Sequence, residues 1–323
     1  MKIYITSESA ITALNGDISN WETNPLEKEN VLSCIEPNYA EFLDPRATRR
    51  MSRMMKMGMT AALMCLQKSN VNIPDAIITA TGLGCLADTD AFLSKLSHGE
   101  GQVLNPTPFI QSTHNTVSGA IALHLQCHNY NNTFTQRGFS FESALTEASL
   151  LLNEYPNQNI LVGALDETIH RVNQIIQQLR DLKTSNHKMV PVGEGFSFFL
   201  LSGIPVADAL TLSCFKTFYN TPAEQLHAAY SEIVSQEAIP DLILLGTNGN
   251  EKNDRQYDWI SSLKIPVLNY KKYCGEYPTA PAFAHWMACN ILRKGHSGMN
   301  NPKKILIYNH SEGRNHSFTF IEK

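Results

Sequence analysis

The side chains able to do covalent chemistry are few, and their spacing is informative. Seven cysteines stand at positions 34, 65, 85, 127, 214, 274 and 289, with irregular gaps and no CxxC pair. An odd count without paired spacing argues against a disulfide framework or a structural zinc site, and fits a reducing cytoplasm. None of the eleven histidines, His114, His310 and His316 included, belongs to an HExxH pattern or a cysteine–histidine cluster. Cys274 lies in the loop YKKYCGEYP. Alone it is a free thiol with no visible base beside it. Gly82-Leu-Gly84 follows a strand-like run, but the third glycine and the acidic residue of a dinucleotide loop are missing, and no GxxxxGK[ST] occurs. A tight turn is expected there.

Charge is equally spare. The chain has 323 residues, 17% of them charged, and a formal net charge of -4. That balance argues against a broad nucleic-acid-binding face and leaves neutral surface suited to a subunit interface. Arg46, Arg49, Arg50, Arg53 and Lys56 recur at spacings that place much of the set on one helix face. Two readings stand, a solvated face or a docking patch for an acidic protein or a phosphate-bearing group. The N-terminus has no cleavable signal pattern, and no run of about 18 apolar residues could span a bilayer. A cytoplasmic protein without a membrane span is expected.

Strands alternate with helices along the whole chain. Lys2 to Ile5 reads as a strand, and Pro45 opens one long helix through residue 67. DAIITAT, a helix over 88–96, a helix over 115–126, a strand at NNTFT and a helix over 140–153 follow. The strands NILV and EGFSFFLL close the first series. A second series from about Ala209 runs LTLSCFK, PAEQLHAAYSEI, DLILLG, NDRQYDWISSL, IPVLN, APAFAHWMACNILRKG, KKILIYN and SFTFI. This is the pattern of a layered α/β protein with two weakly similar halves, 1–203 and 204–323.

In that order these pieces resemble the β-ketoacyl synthase family, the condensing enzymes of the thiolase fold. ITSESAITALNG is similar to the family's first strand and glycine turn, and DPRATRRMSRMMKMGMTAA to its first long helix. NPTPFIQSTHNTVSGAIALHL resembles the segment ahead of the nucleophile. NQNILVGALDE, PVGEGFSFFLLS, LILLGTNGNEKND, YKKYCGEYPTAPAFA and YNHSEGRNHSFTF resemble five later motifs. The resemblance spans nearly the whole chain, which is shorter than usual members near residues 170–190 and in the second half. It implies an α/β, thiolase-like fold, with two similar βαβαβαββ-type halves packed as a five-layer αβαβα structure.

The family works with a cysteine thiolate and two histidines. By this resemblance the cysteine position falls on Gly138 and the histidine positions on Leu245 and Glu276, with Lys271 retained. Gly138 can carry no thioester, Leu245 can donate no hydrogen bond, and an ionised Glu276 would repel a malonyl carboxylate. Glycine also suits a sharp turn with an unusual backbone conformation. Ser140, two residues into the helix, is expected to face elsewhere. The aromatic gate of the closing loop is replaced by Ser311-Glu312-Gly313. The remnant pocket is expected to include Phe139, Phe141, Thr247, Cys274, Gly275, Ser311 and Gly313, although core packing suits either phenylalanine equally well.

The resemblance therefore implies a non-condensing subunit like the chain-length factors. It would pair with an active β-ketoacyl synthase of a type II fatty-acid, polyketide or aryl-polyene-like system, and shape the acyl tunnel or stabilise its partner. No cofactor is expected on this chain itself. Phosphopantetheine would arrive on a transient acyl carrier protein docked at Arg46, Arg49, Arg50, Arg53 and Lys56. The alternatives are a synthase with unconventional active residues, Cys274 among them, or a stand-alone homodimer that binds acyl chains or carrier protein.

Overall fold

The computed structural model describes residues 2–14, 30–98, 105–182, 189–295 and 301–323. The glycine turn expected at Asn15-Gly16 and part of the short segment before residue 190 lie outside them. The strands are β1 (Ile3–Ile11), β2 (Val31–Leu32), β3 (Ala76–Ala80), β4 (Tyr130–Phe134), β5 (Asn159–Asp166), β6 (Val192–Gly193), β7 (Gly195–Ser202), β8 (Leu210–Tyr219), β9 (Leu242–Leu245), β10 (Val267–Asn269), β11 (Lys304–Ser311) and β12 (Asn315–Glu322). The helices are α1 (Pro45–Thr48), α2 (Arg53–Ser69), α3 (Leu86–His98), α4 (Pro106–Gln111), α5 (Thr116–Leu125), α6 (Ser140–Glu154), α7 (His170–Leu182), α8 (Ala223–Gln236), α9 (Glu251–Asp254), α10 (Lys271–Cys274) and α11 (Ala280–Lys294).

Ten strands form one mixed sheet in the order β10-β9-β11-β12-β8-β1-β7-β5-β3-β4. The junction is the short antiparallel pairing of β1 with β8, Ile3 opposite Leu212. Outward from it, the two sides follow the same plan. Each begins with its first strand, continues with an antiparallel strand that comes last in its series, and ends in three parallel strands.

Alternation along the strands divides the core in three. Ile78, Val162, Leu201, Leu244 and Ile307 meet α6 and α11 in a central cluster. The neighbouring positions Ile77, Leu161, Leu200 and Phe198 face α2 and α5 in a second cluster. Ile243, Leu245, Leu306 and Phe318 face α8 and the helix after α9 in a third. Period-two side-chain alternation makes this division unavoidable once both faces of each strand are covered. Helix α11 is buried from Ala280 to Leu292, as a helix apolar on every side must be.

Two helices depart from expectation. The long helix expected from Pro45 is broken, because Asp44 caps α1 at Arg46 N–H and Ser52 caps α2 at Met55 N–H. Each side chain offers the backbone a competing partner, so two short starts replace one continuous helix. The helix expected over 253–263 becomes α9 followed by a 3-10 helix, Arg255–Leu263. A three-residue repeat stacks Tyr257 over Ile260, and both are buried. Among the described residues no helix is long and apolar enough to cross a membrane.

Candidate functional site

The site begins at the joint between β4 and α6, a single 3-10 turn over Arg137–Phe139. The unusual backbone conformation expected at the glycine lies instead at Arg137, with φ 50°. Space at Gly138 is tight. A Cβ there would stand 2.6 Å from Ser311 Oγ and 3.2 Å from Ser311 Cβ. Ser311, the last residue of β11, therefore crowds the position, and its hydroxyl would have to turn aside for a side chain at 138. Ser140 is fully buried, and its hydroxyl lies 2.9 Å from the Thr81 carbonyl and 2.7 Å from that of Arg137. It is a strut and offers no nucleophile.

Facing the turn is the loop after α10. Lys271 is buried and its Nζ reaches Glu276, 3.1 Å from Oε1 and 2.9 Å from Oε2. The loop is tied to β6, since Gly193 N–H donates to Glu276 O at 3.1 Å and Glu276 N–H to Pro191 O at 2.8 Å. Gly275 has φ 80°, and a Cβ on it would come within 2.7 Å of Gly193 Cα, so only glycine fits.

Turn and loop enclose a cavity of about 650 Å³. Gly138, Lys271, Glu276 and Ser311 converge there, with Arg137, Glu167, Val172, Ile176, Asn248, His310 and Glu312 on its walls. Several expected pocket residues are absent from those walls. Leu245 points into the third core cluster, because β9 alternates and the preceding Leu244 takes the central side. Phe141 is core, edge-on to His285 at 4.9 Å. Phe139, Thr247, Gly275 and Gly313 also lie off the walls. Gly313 forms the tip of the β11–β12 turn with φ 67°. Cys274 is 1% exposed, its thiol directed at the Gly275 carbonyl. Burial pushes that thiol far above its ordinary range. No cysteine among the described residues lines the cavity.

Electrostatics complete the picture. Burial, and then Lys271, push the His310 imidazole down to about 3, so it is neutral near pH 7. Its Nδ1 accepts from Gly313 N–H at 3.3 Å, and its ring packs on Tyr257 with centroids 4.7 Å apart. Burial, with Asp88 nearby, pushes Glu167 up to about 7 while it caps α3 through Ala87 N–H at 2.9 Å. Asp166 clamps two wall-forming loops together. One oxygen accepts from Thr81 Oγ1, Gly82 N–H and Leu83 N–H, and the other from the N–H and hydroxyl of Thr279. Sequence reasoning did not assign Arg137 or His310 to the pocket, and it noted Glu312 only within the stretch that stands where the aromatic gate would be. The only available signal was position, since each directly flanks Gly138 or Ser311. No group of His, Cys, Asp and Glu among the described residues is arranged to hold a metal.

The basic run is divided by the helix break. Arg46, Arg49 and Arg50 are exposed on and just after α1. Arg53 is committed internally, with Nη1 and Nη2 on buried Glu194 at 2.9 and 2.7 Å and Nε on Glu36 at 2.8 Å. Lys56 lies over the Tyr39 ring at 5.1 Å.

The sequence pattern of the β-ketoacyl synthase N-terminal domain matches residues 19–203, more than half of the chain. The chain belongs to the β-ketoacyl synthase family. No curated protein matches it in sequence. Solved structures share its fold at low identity. A chain of AntDE:AntF, a type II polyketide acyl-carrier protein in complex with its ketosynthase, superposes with TM-score 0.81 at 14% identity, covering 99% of both chains. The ishigamide ketosynthase/chain length factor gives 0.74 at 15%, covering 100% of this chain and 99% of that one. The Xenorhabdus doucetiae ketosynthase ApeO in complex with its chain length factor ApeC gives 0.74 at 15%, covering 99% and 97%. Within the β-ketoacyl synthase fold, then, this chain keeps the turn and the lysine loop around a cavity that lacks a thiol.

Proposed function

We propose that this chain is a non-condensing β-ketoacyl synthase subunit that pairs with an active β-ketoacyl–acyl-carrier-protein synthase. It serves a type II fatty-acid, polyketide or aryl-polyene-like system, shaping the acyl tunnel or stabilising the partner. One observation carries the reading. The position at the head of α6 has no side chain, and Ser311 crowds the space a thiol would enter. Glu276, tied to Lys271, stands where the resemblance places the second histidine, so that position offers no imidazole donor to a developing enolate.

The pairing is supported by an edge of β4 that no other strand covers among the described residues, and by relatives whose solved structures are ketosynthase–chain length factor assemblies. We read the two sides of the sheet as halves 1–203 and 204–323 in a five-layer αβαβα arrangement, supported by the repeated strand order and the three core clusters. An acyl carrier protein, bringing the substrate on its own phosphopantetheine, docks transiently at Arg46, Arg49 and Arg50. Carrier proteins are acidic, and these three arginines are exposed.

Co-expression with candidate partner ketosynthases tests the reading. The expected result is a 1:1 complex that elongates acyl chains through the partner's cysteine alone. Absence of any complex, or elongation by this chain by itself, overturns it. The cavity of about 650 Å³ also favours a stand-alone acyl-binding homodimer. Acyl binding by a dimer that ignores every ketosynthase would establish that reading instead.

A further inference from the structure

Helix α7 covers one side of the cavity with little hold on the fold beneath it. Val172, Ile175, Ile176 and Leu179 recur at three- and four-residue spacing and share one face. Val172 and Ile176, one turn apart, stand on the cavity wall. Yet no residue from His170 to Leu179 is buried, and Ile175 and Leu179 are 50% and 53% exposed. By contrast, α6 buries Phe141, Ala144, Leu145, Ala148 and Leu152. An amphipathic helix is held mainly by the apolar face it buries, so α7 belongs to the weakly held part of the molecule.

The foot of the helix is fastened differently. Glu167 accepts the Ala87 N–H at 2.9 Å, and Thr168 donates its own N–H to Glu194 Oε2 at 3.0 Å. Glu194 is buried and held in turn by Arg53. The Thr168 hydroxyl donates to Asn173 Oδ1 and keeps the first turn together. Further along, Arg171 bridges to α3, with Nη1 2.8 Å from Asp90 Oδ1 and 3.1 Å from Ser94 Oγ. The side chains of that ion pair are 60% and 33% exposed, so it is weak and screened by salt. A fixed foot, a thinly buried body and a breakable latch are the parts of a hinged cover.

We propose that α7 is a lid over the cavity, hinged at Thr168-Ile169 and latched to α3 by Arg171, which opens to admit an acyl chain. Closing sets Val172 and Ile176 against that chain. The inference rests on the reading that the cavity holds an acyl chain, and it assigns control of entry to this chain's own helix. Opening uncovers the two apolar side chains, and an apolar ligand covers them again, so the ligand favours the closed lid.

The test follows cis-parinaric acid, a fluorescent fatty acid, entering the full chain by stopped flow. Arg171→Ala removes the latch. Its association and dissociation rates are both expected to rise by about two- to fivefold, the range an exposed ion pair allows, while Kd stays within about twofold. Asp90→Asn, altered on α3, should do the same, and about 0.5 M NaCl should bring the parent toward both variants. In hydrogen exchange the α7 amides past the first turn should exchange faster than those of α6, and should slow when the probe binds. A rise smaller than about twofold in both variants overturns the lid. Probe binding that leaves α7 exchange unchanged does so too. A loss of affinity in Arg171→Ala that Asp90→Asn does not share also overturns it, by marking Arg171 as a contact of the ligand. If the unaltered chain binds no acyl probe, the acyl reading of the cavity fails and takes this inference with it.

Discussion

Ser311 Oγ lies 2.6 Å from the point that a Cβ on Gly138 would occupy, so the two residues share one volume. Restoring the thiol alone overfills the site. Gly138→Cys is expected to cost about 1–3 kcal/mol, the usual range for overpacking. Adding Ser311→Gly should recover most of that in urea denaturation. Neither variant is expected to elongate an acyl thioester, because Glu276 still faces the cavity.

The Lys271–Glu276 pair is asymmetric, with side-chain exposures of 6% and 32%. Removing the carboxylate strands a buried ammonium, whereas removing the ammonium leaves a carboxylate that water can reach. Glu276→Ala should therefore destabilise by about 2–3 kcal/mol and Lys271→Met by about 1 kcal/mol. Equal losses in chemical denaturation would refute the asymmetry.

Thiol reactivity tests whether any cysteine can serve as a nucleophile. Six of the cysteines are buried and Cys214 is intermediate. Burial raises Cys34, Cys65, Cys85, Cys274 and Cys289, so native thiolate is scarce. A thiol-specific reagent should label Cys214 first and leave Cys274 untouched until the chain unfolds. Early labelling of Cys274, or an acyl adduct on it, would revive the catalytic alternative.

Glu142 gives the fold a pH dependence of definite sign. It accepts from Asn309 Nδ2 and Ser317 Oγ, both at 3.0 Å, and burial raises it from 4.5 to about 6. The folded state thus favours the protonated form. The resulting stabilisation is complete below the unfolded value near 4.5 and is lost as pH rises through about 6. A shift of this size is worth at most about 2 kcal/mol. Glu142→Gln should therefore gain stability relative to the parent between pH 4.5 and 7.5, by up to about that amount. A flat difference between the two denaturation profiles would contradict this.

Much of the fold was legible from periodicity and turn residues. The buried strands at DAIITAT and EGFSFFLL and the apolar helix at APAFAHWMACNILRK stand where their composition places them. The break at Ser52 was less legible, because a serine reads as a modest helix residue until its hydroxyl is seen to cap the next turn. The candidate site divided in the same way. Motif order located Gly138, Lys271 and Glu276 at one cavity. It could not tell that Leu245 turns away, since that depends on which face of β9 the strand end presents. Nor could it tell that Arg53 is held by Glu194, a residue distant in sequence.

What the sequence alone determined is chemical identity: a chain with glycine at 138 has no atom there to form a bond, whatever the packing. What only the tertiary structure decided is whether the space remained. Ser311 is 173 positions further along the chain, and the pairing of β11 within the sheet is what brings it against the turn. Residue type is local and can be read directly. Occupancy of a volume depends on contacts between distant segments, and those exist only once the strands have chosen their neighbours.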